Sequence, residues 1–326
     1  MAEGRDWVEL TSALLDVQSD WAQPARAETY EVVDWWRRER SGSSFVHLVG
    51  VPNGPEILTK TVDGWESSDA RDTHDAMADL AGALAAASIP SAAGISPLGW
   101  IEGPPTVVMP WVEGRDAVTI LRSNDRETIE GRMPNWLSSA GAMLAAFHAT
   151  TPDRDFGDAS KQAIQAAGRL RIDGKTATRL MDQVQWQGKC ARSFGDIGPG
   201  NLHVTPTGEI YLVDPPVETS LALIHRDLGN FVFELRRQLA GRGYTRTSPI
   251  RGRFDHLSST FLDGYIEQSG RDLGAADHAL IALFEARRAL GMARKRLPSR
   301  PGDALWFSRL ALSRRRDVLD VFERTR

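Results

Sequence analysis

The sequence predicts an α+β fold: a small antiparallel β-sheet N-lobe with one main helix, followed by a larger, mostly helical C-lobe. Three observations carry this. Between residues 28 and 62 three runs rich in β-branched and aromatic residues, "ETYEVVDWWRR", "SFVHLVGV" and "EILTKTV", are separated by the breakers "SGSS" and "PNGP", the pattern of an antiparallel meander. A single helical pattern follows, and beyond about residue 115 helical spacing dominates to the end. A chain of 326 residues has room for two such lobes, at about 100–200 residues per domain. We place the division at residues 1–112 and 113–326.

The elements follow in order. Trp7, Leu10, Leu14, Val17 and Trp21 recur at helical intervals and predict an opening amphipathic helix over 7–21. The three strands come next, with Trp35 and Trp36 read as sheet face and core. The helix of the N-lobe is expected from Asp69 to Ala87, with Met77, Leu80, Ala81 and Leu84 on one face. "TVVMPWVEG" reads as a further strand running into a connector. "PNWLSSAGAMLAAFHAT" and "SKQAIQAAGRLR" are helical, a strand–turn–strand interrupts at 202–214, and helical patterns return from about residue 221.

Composition excludes several classes. A net charge of -4 offers no general attraction to nucleic acid or to anionic membrane. The one cysteine, Cys190, rules out an internal disulfide or a multi-thiolate zinc site, as suits a reducing cytoplasm. No apolar run approaches the ~20 residues that span a bilayer, and the N-terminus lacks a signal peptide's apolar core. The expectation is a cytoplasmic protein without an integral membrane segment or a nucleic-acid partner.

The chemistry concentrates in "CARSFGDIGPGNLHV" and the "TPTGEIYLVDPP" that follows it. Gly198 and Gly200 allow a tight turn between Asp196 and Asn201. Two short strands then end at Asp214, and a hairpin of this kind brings Asn201 and Asp214 towards one ion. Mg²⁺ prefers such oxygen ligands, one or two from protein and the rest from phosphates and water. Asp196, just before the loop, is placed to take a proton from an attacking hydroxyl. Any one of these residues alone reads better as an Asx turn capping local backbone, and it is the combination that points to chemistry.

"FGDIGPGN" followed by "LVDPP" resembles the catalytic loop and metal-binding aspartate of the aminoglycoside phosphotransferase and choline kinase-like family, whose fold is protein kinase-like. "EILTKTV", "VVMPWVEGRD", "GAMLAAFHA", "HRDLGNF" and "FLDGYIEQSG" are similar to further family segments in the same order. The resemblance implies an ATP- and Mg²⁺-dependent phosphotransferase acting on a hydroxyl of a small molecule: a sugar, glycan, nucleoside or antibiotic alcohol. It implies Asp196 as catalytic base, Asn201 and Asp214 as Mg²⁺ ligands, and Lys60 on the α/β-phosphates. The backbone from Met109 through Trp111 to Glu113 would pair with the purine. Phosphoryl transfer needs chiefly positioning and charge neutralisation, which these groups supply.

The sequence also departs from the family pattern. Phe194 stands where a histidine is usual, two residues before the base. The helix expected to supply a glutamate for Lys60 has none in its middle; Asp75 is favoured by spacing, with Asp72, Asp79 and His74 as alternatives. No glycine-rich loop is present, so Ser43 and Ser44 in the "RSGSS" turn become the candidate phosphate cover, a plain hairpin turn being the alternative. These departures raise a second reading, a catalytically silent nucleotide-binding scaffold. "GRLRIDGKT" is rejected as a P-loop because five residues separate Gly168 from Gly174 and a helical stretch precedes it. His148, on an apolar helix, reads as structural. From Glu285 onward twelve Arg and Lys stand against five acids. That is either exposed helix charge or a surface suited to a neutral or anionic acceptor.

Overall fold

The computed structural model describes residues 7–18, 27–38, 42–122, 131–151, 157–184, 190–217, 220–240 and 248–324. The chain divides into two compact units. The first comprises Met1–Ser88, Ala93–Gly114 and Tyr211–Val217, the second Ile89–Ala92, Arg115–Ile210 and Glu218–Arg326. The division therefore falls two residues beyond the expected point, and the first unit recovers a short segment from far along the chain.

The first unit opens with α1 (Trp7–Val17), which ends before the Trp21 that periodicity assigned to it; residues 19–26 lie outside the described residues. Strands β1 (Thr29–Arg38), β2 (Ser43–Val51) and β3 (Glu56–Val62) follow. Helix α2 (Ser67–Ala87) comes next, then β4 (Ala92–Gly94), β5 (Gly99–Ile101) and β6 (Thr106–Pro110). One sheet has the order β1-β2-β3-β6-β5, with antiparallel neighbours. Because side chains alternate across a strand, neighbouring residues enter different cores. Ile57 and Val108 pack with Leu10, Leu14, Val46 and Leu48 on one face. Leu58 and Val107 pack with Ala70 and Met77 of α2 on the other. The register slips between Val32 and Asp34, a bulge on an edge strand. Val33 and Trp35 are left 56% and 42% exposed, while Trp36 turns inward and stacks on Phe45, ring centroids 5.5 Å apart. Helix α2 starts two residues before the expected Asp69, because Asp69 serves its N-terminus: the Glu66 N–H donates to Asp69 Oδ2 at 2.8 Å.

The second unit contains β7 (Arg115–Asp116), α3 (Ala117–Arg122), α4 (Met133–Ala149), α5 (Gly157–Arg169) and α6 (Gly174–Gln183). Then come β8 (Cys190–Arg192), β9 (Leu202–Val204), β10 (Ile210–Leu212), after whose first residue the chain returns to the first unit, and β11 (Leu221–Leu223). Helices α7 (Ile224–Ala240), α8 (Ser248–Ser269), α9 (Ala275–Arg296) and α10 (Pro301–Arg324) complete it. Residues 221–223, expected to begin a helix, instead pair antiparallel with β8; Leu-Ala-Leu is too short a run for periodicity to separate strand from helix.

Two glycines decide how α4 and α8 cross. A Cβ on Gly141 would stand 2.0 Å from the Phe261 carbonyl oxygen, and one on Gly264 would stand 2.1 Å from that of Ser138. The backbones approach so closely that only hydrogen fits on either side. Around α5, α6, α9 and α10 an alanine-rich core closes over Phe233, Phe284 and Phe307. A cavity of about 420 Å³ opens among α7, α8, α9 and α10. On its wall the half-buried Arg236 donates from Nε to buried Glu285 at 2.6 Å and covers the Phe254 ring at 3.5 Å.

Candidate active site

In the first unit Lys60 sits in the middle of the sheet, opposite Phe45 on β2 and Val107 on β6. Its Nζ donates to Oδ1 of Asp214 at 2.7 Å and lies 5.9 Å from the Trp65 ring centroid, within cation–π range. Lysine and aspartate are 154 positions apart in sequence and mostly shielded, with side chains 13% and 30% exposed. Tyr211 and Val213 pack into the α2-side core, which fixes the strand end from which Asp214 projects. Asp214 itself takes φ +55°, a left-handed conformation uncommon outside glycine and best tolerated by Asn and Asp. A backbone held off its preferred region beside a charged pair is a common property of functional sites.

The partner of Lys60 is thus Asp214 and not the Asp75 favoured by spacing. Asp75 is 60% exposed and bonds His74 Nδ1 at 2.9 Å. Met77, Leu80, Ala81 and Leu84 turn α2 inward, so Asp72, Asp75 and Asp79 form its outer face.

Ser43 and Ser44 do not form a turn tip. They are the first residues of β2, paired with Val62 and Thr61, and are 6% and 2% exposed. The Ser44 hydroxyl is buried without a hydrogen-bond partner among the described residues. Residues 39–41 of the same turn lie outside the described residues. Met109 is buried against α2. The Trp111 N–H donates to the Glu56 carbonyl at 2.9 Å, so it is not free to pair with a purine, and one face of its ring stacks on His47 at 3.9 Å. His47 in turn bonds Glu56 at 2.8 Å.

In the second unit the loop carrying Asp196 is organised by Asp227, near the start of α7. Its buried carboxylate accepts from Ser193 Oγ at 2.8 Å, the Phe194 N–H at 2.5 Å and the Gly195 N–H at 3.1 Å. It also bonds His148 Nε2 at 3.2 Å, while His148 Nδ1 bonds the Tyr265 hydroxyl at 2.9 Å. Both ring nitrogens of His148 are thereby used, as expected of a structural histidine. Burial, with the Asp227 charge adding to it, pushes the Tyr265 phenol well above its ordinary range, so it remains a neutral member of the network. Asn230 donates to the Gly195 carbonyl at 2.8 Å from the next turn of α7. Gly195 takes φ +78°, the turn that lifts Asp196 out.

Phe194 fills its position by packing: it is 3% exposed and meets Phe147 edge-on, centroids 5.4 Å apart. Asp196 stands 84% exposed at the tip, touched by the Arg288 guanidinium from α9. Beneath the loop lies Glu234, so close that a Cβ on Gly198 would meet its Cβ at 2.9 Å. Asn201 closes the 3₁₀ turn Pro199–Asn201, its N–H donating to the Gly198 carbonyl at 2.9 Å.

A carboxamide at Asn201 and a carboxylate at Asp214 are both hard oxygen donors of the kind Mg²⁺ takes. The half-buried Asp214 carboxylate, its charge shared with Lys60, fits such a role. Ser193, Tyr265 and Arg288 escaped assignment from sequence, and the segment that carries Asp227 and Glu234 placed both near the site without showing what either faces. Periodicity distinguishes buried from exposed, but not which buried carboxylate faces which loop.

Known proteins resemble this chain in sequence profile and in fold. The sequence profile of the phosphotransferase enzyme family matches residues 35–243, well over half of the chain. No curated protein sequence matches it. Among solved structures, a microcompartment-associated aminopropanol kinase is similar at 13% identity and TM-score 0.52, over 95% of this chain and 99% of that one. A glucosamine kinase in complex with glucosamine, ADP and inorganic phosphate is similar at 11% identity and TM-score 0.51, again over 95% and 99%. At such identities the likeness is one of fold.

Proposed function

Since this chain belongs to the phosphotransferase enzyme family, we propose that it transfers the γ-phosphoryl group of ATP to a hydroxyl of a small molecule. The observation that carries this reading is the Lys60–Asp214 contact. A sheet lysine and an aspartate at a strand end are held together, half-buried, where phosphate charge and its counter-ion would be received. Lys60 would neutralise the α/β-phosphates, and Asn201 and Asp214 would each offer an oxygen to Mg²⁺, which would supply screening of the phosphate charge.

In the reaction the acceptor oxygen forms a bond to the γ-phosphorus as the bond from that phosphorus to the β–γ bridging oxygen breaks. ADP leaves with that electron pair, and the hydroxyl proton passes to the Asp196 carboxylate. Asp196 is suited to this by its exposure and by a loop that Asp227 anchors from beneath through three donors. Phe194 does not weaken the arrangement, because the anchoring comes from backbone N–H groups and Ser193.

Calorimetric titration of ATP with and without Mg²⁺, on the wild type and on Asp214→Ala, tests the nucleotide site. Binding that requires Mg²⁺ and weakens at least ~10-fold in the variant is expected, the loss of one charge-assisted contact. Asp196→Ala should then keep ATP binding and lose ADP release with acceptor. Turnover retained in Asp196→Ala would remove the base assignment.

A further inference from the structure

Arg288, on α9, donates from Nη2 to Asp196 and, at 3.4 Å, to Glu234. Glu234 is already matched from its other side, since Arg237 Nε reaches its Oε2 at 2.6 Å. The charge of Arg288 is therefore answered chiefly by Asp196, the carboxylate that the reaction requires for the acceptor. Arg288 is only 34% exposed, and its Nε is buried without a hydrogen-bond partner among the described residues. Its neighbour Arg287 is half-buried in the field of Arg226, Arg169 and Arg288. None of Arg169, Arg226 and Arg287 has an ion-pair partner among the described residues. Cations gathered with so little compensation are a receiving surface for an oxyanion, which a guanidinium binds with two parallel donors.

We propose that Arg288 determines acceptor specificity by binding an oxyanion, a phosphomonoester or carboxylate, that the acceptor carries close to its reacting hydroxyl. This rests on the reading of Asp196 as proton acceptor. An acceptor so equipped offers Arg288 a new partner, and the freed Asp196 oxygen receives the hydroxyl proton. A cationic acceptor meets the same arginines as repulsion and offers Arg288 nothing in exchange for Asp196.

The test is a set of matched hydroxy compounds: glucose, glucosamine, glucose 6-phosphate and glucuronate, with glycerol, glycerol phosphate and glycerate. ADP release is followed for the wild type, Arg288→Gln and Arg288→Lys. Expected is a higher kcat/KM for the oxyanion-bearing members. Arg288→Gln should cut that preference by about 30-fold, mainly through KM, the scale of one charge-assisted pair, and Arg288→Lys by less. Preference for neutral or cationic members, or equal losses on all members in Arg288→Gln, would overturn the proposal while leaving the phosphotransferase reading in place. Absence of Mg²⁺-dependent ATP binding would remove both. If ATP binds and no member is turned over, titration with inorganic phosphate decides. Saturable binding lost in Arg288→Gln supports the proposal, and no saturable binding overturns it.

Discussion

The carboxylate of Asp227 accepts the backbone N–H of Phe194 at 2.5 Å, 33 positions earlier in the chain, and so couples the start of α7 to the loop that presents Asp196. The same carboxylate serves Ser193, Gly195 and His148. Removing it orphans several buried donors at once, each costing about 1–3 kcal/mol. Asp227→Ala is expected to lose roughly 3–5 kcal/mol, as when one member of a buried charged network is deleted. Urea unfolding measures this directly. A loss under about 1 kcal/mol would show that the loop holds its shape without Asp227.

Phe194 supplies a second expectation. Its ring is 3% exposed against Phe147, and the loop's orientation comes from Asp227. Phe194→His, which restores the residue usual in the family, should therefore destabilise by about 1–3 kcal/mol, the cost of a buried polar group without a partner. It should leave kcat no higher. A several-fold gain in kcat would mean that orientation of Asp196 does depend on position 194.

Most of the fold was legible from sequence, since it rests on period and punctuation. The meander β1–β3, α2 and the long C-terminal helices all announce themselves through alternation, helical spacing and breakers. Asp196, Asn201, Asp214 and Lys60 were legible as a motif. Their partners were not. Asp75 was preferred for Lys60 by spacing along the chain, whereas the contact is made by Asp214, 154 positions away. No local pattern encodes such a pairing. Ser43 and Ser44 read as a turn because hydroxyl residues beside glycine resemble loop sequence, yet cross-strand pairing with Val62 and Thr61 claims them for β2. Trp111 offered a hinge residue by position, but the Glu56 carbonyl occupies its N–H.

The crossing of α4 and α8 yields a third prediction. Gly264→Ala would place a methyl 2.1 Å from the Ser138 carbonyl oxygen, and that oxygen belongs to helix backbone that cannot swing aside. Alanine is the better helix former by about 1 kcal/mol, so on propensity alone the substitution would stabilise. Overpacking against backbone should outweigh this, for a net loss of roughly 2 kcal/mol. Thermal unfolding is expected to show a lower Tm for Gly264→Ala. For Gly168→Ala, where a Cβ meets nothing within 4 Å, the Tm should be unchanged or higher.

Tyr30 supplies the pH dependence. It is 5% exposed at the core face of β1 and donates to Gln18 Oε1 at 3.2 Å. Burial pushes its phenol up to about 12 from an ordinary 10.0. In the folded chain the proton is thus held more tightly than in the unfolded one. The contribution to stability is complete below pH ~10 and is lost progressively as pH rises from there through the folded value. At about 1.4 kcal/mol per pKa unit, the loss between pH 10 and 12 amounts to roughly 2–3 kcal/mol. Tyr30→Phe removes the titrating group, so its unfolding free energy should fall less over that interval. Parallel curves for wild type and Tyr30→Phe, measured by urea unfolding at pH 9, 10.5 and 11.5, would place the alkaline instability elsewhere, with buried Tyr265 the next residue to substitute.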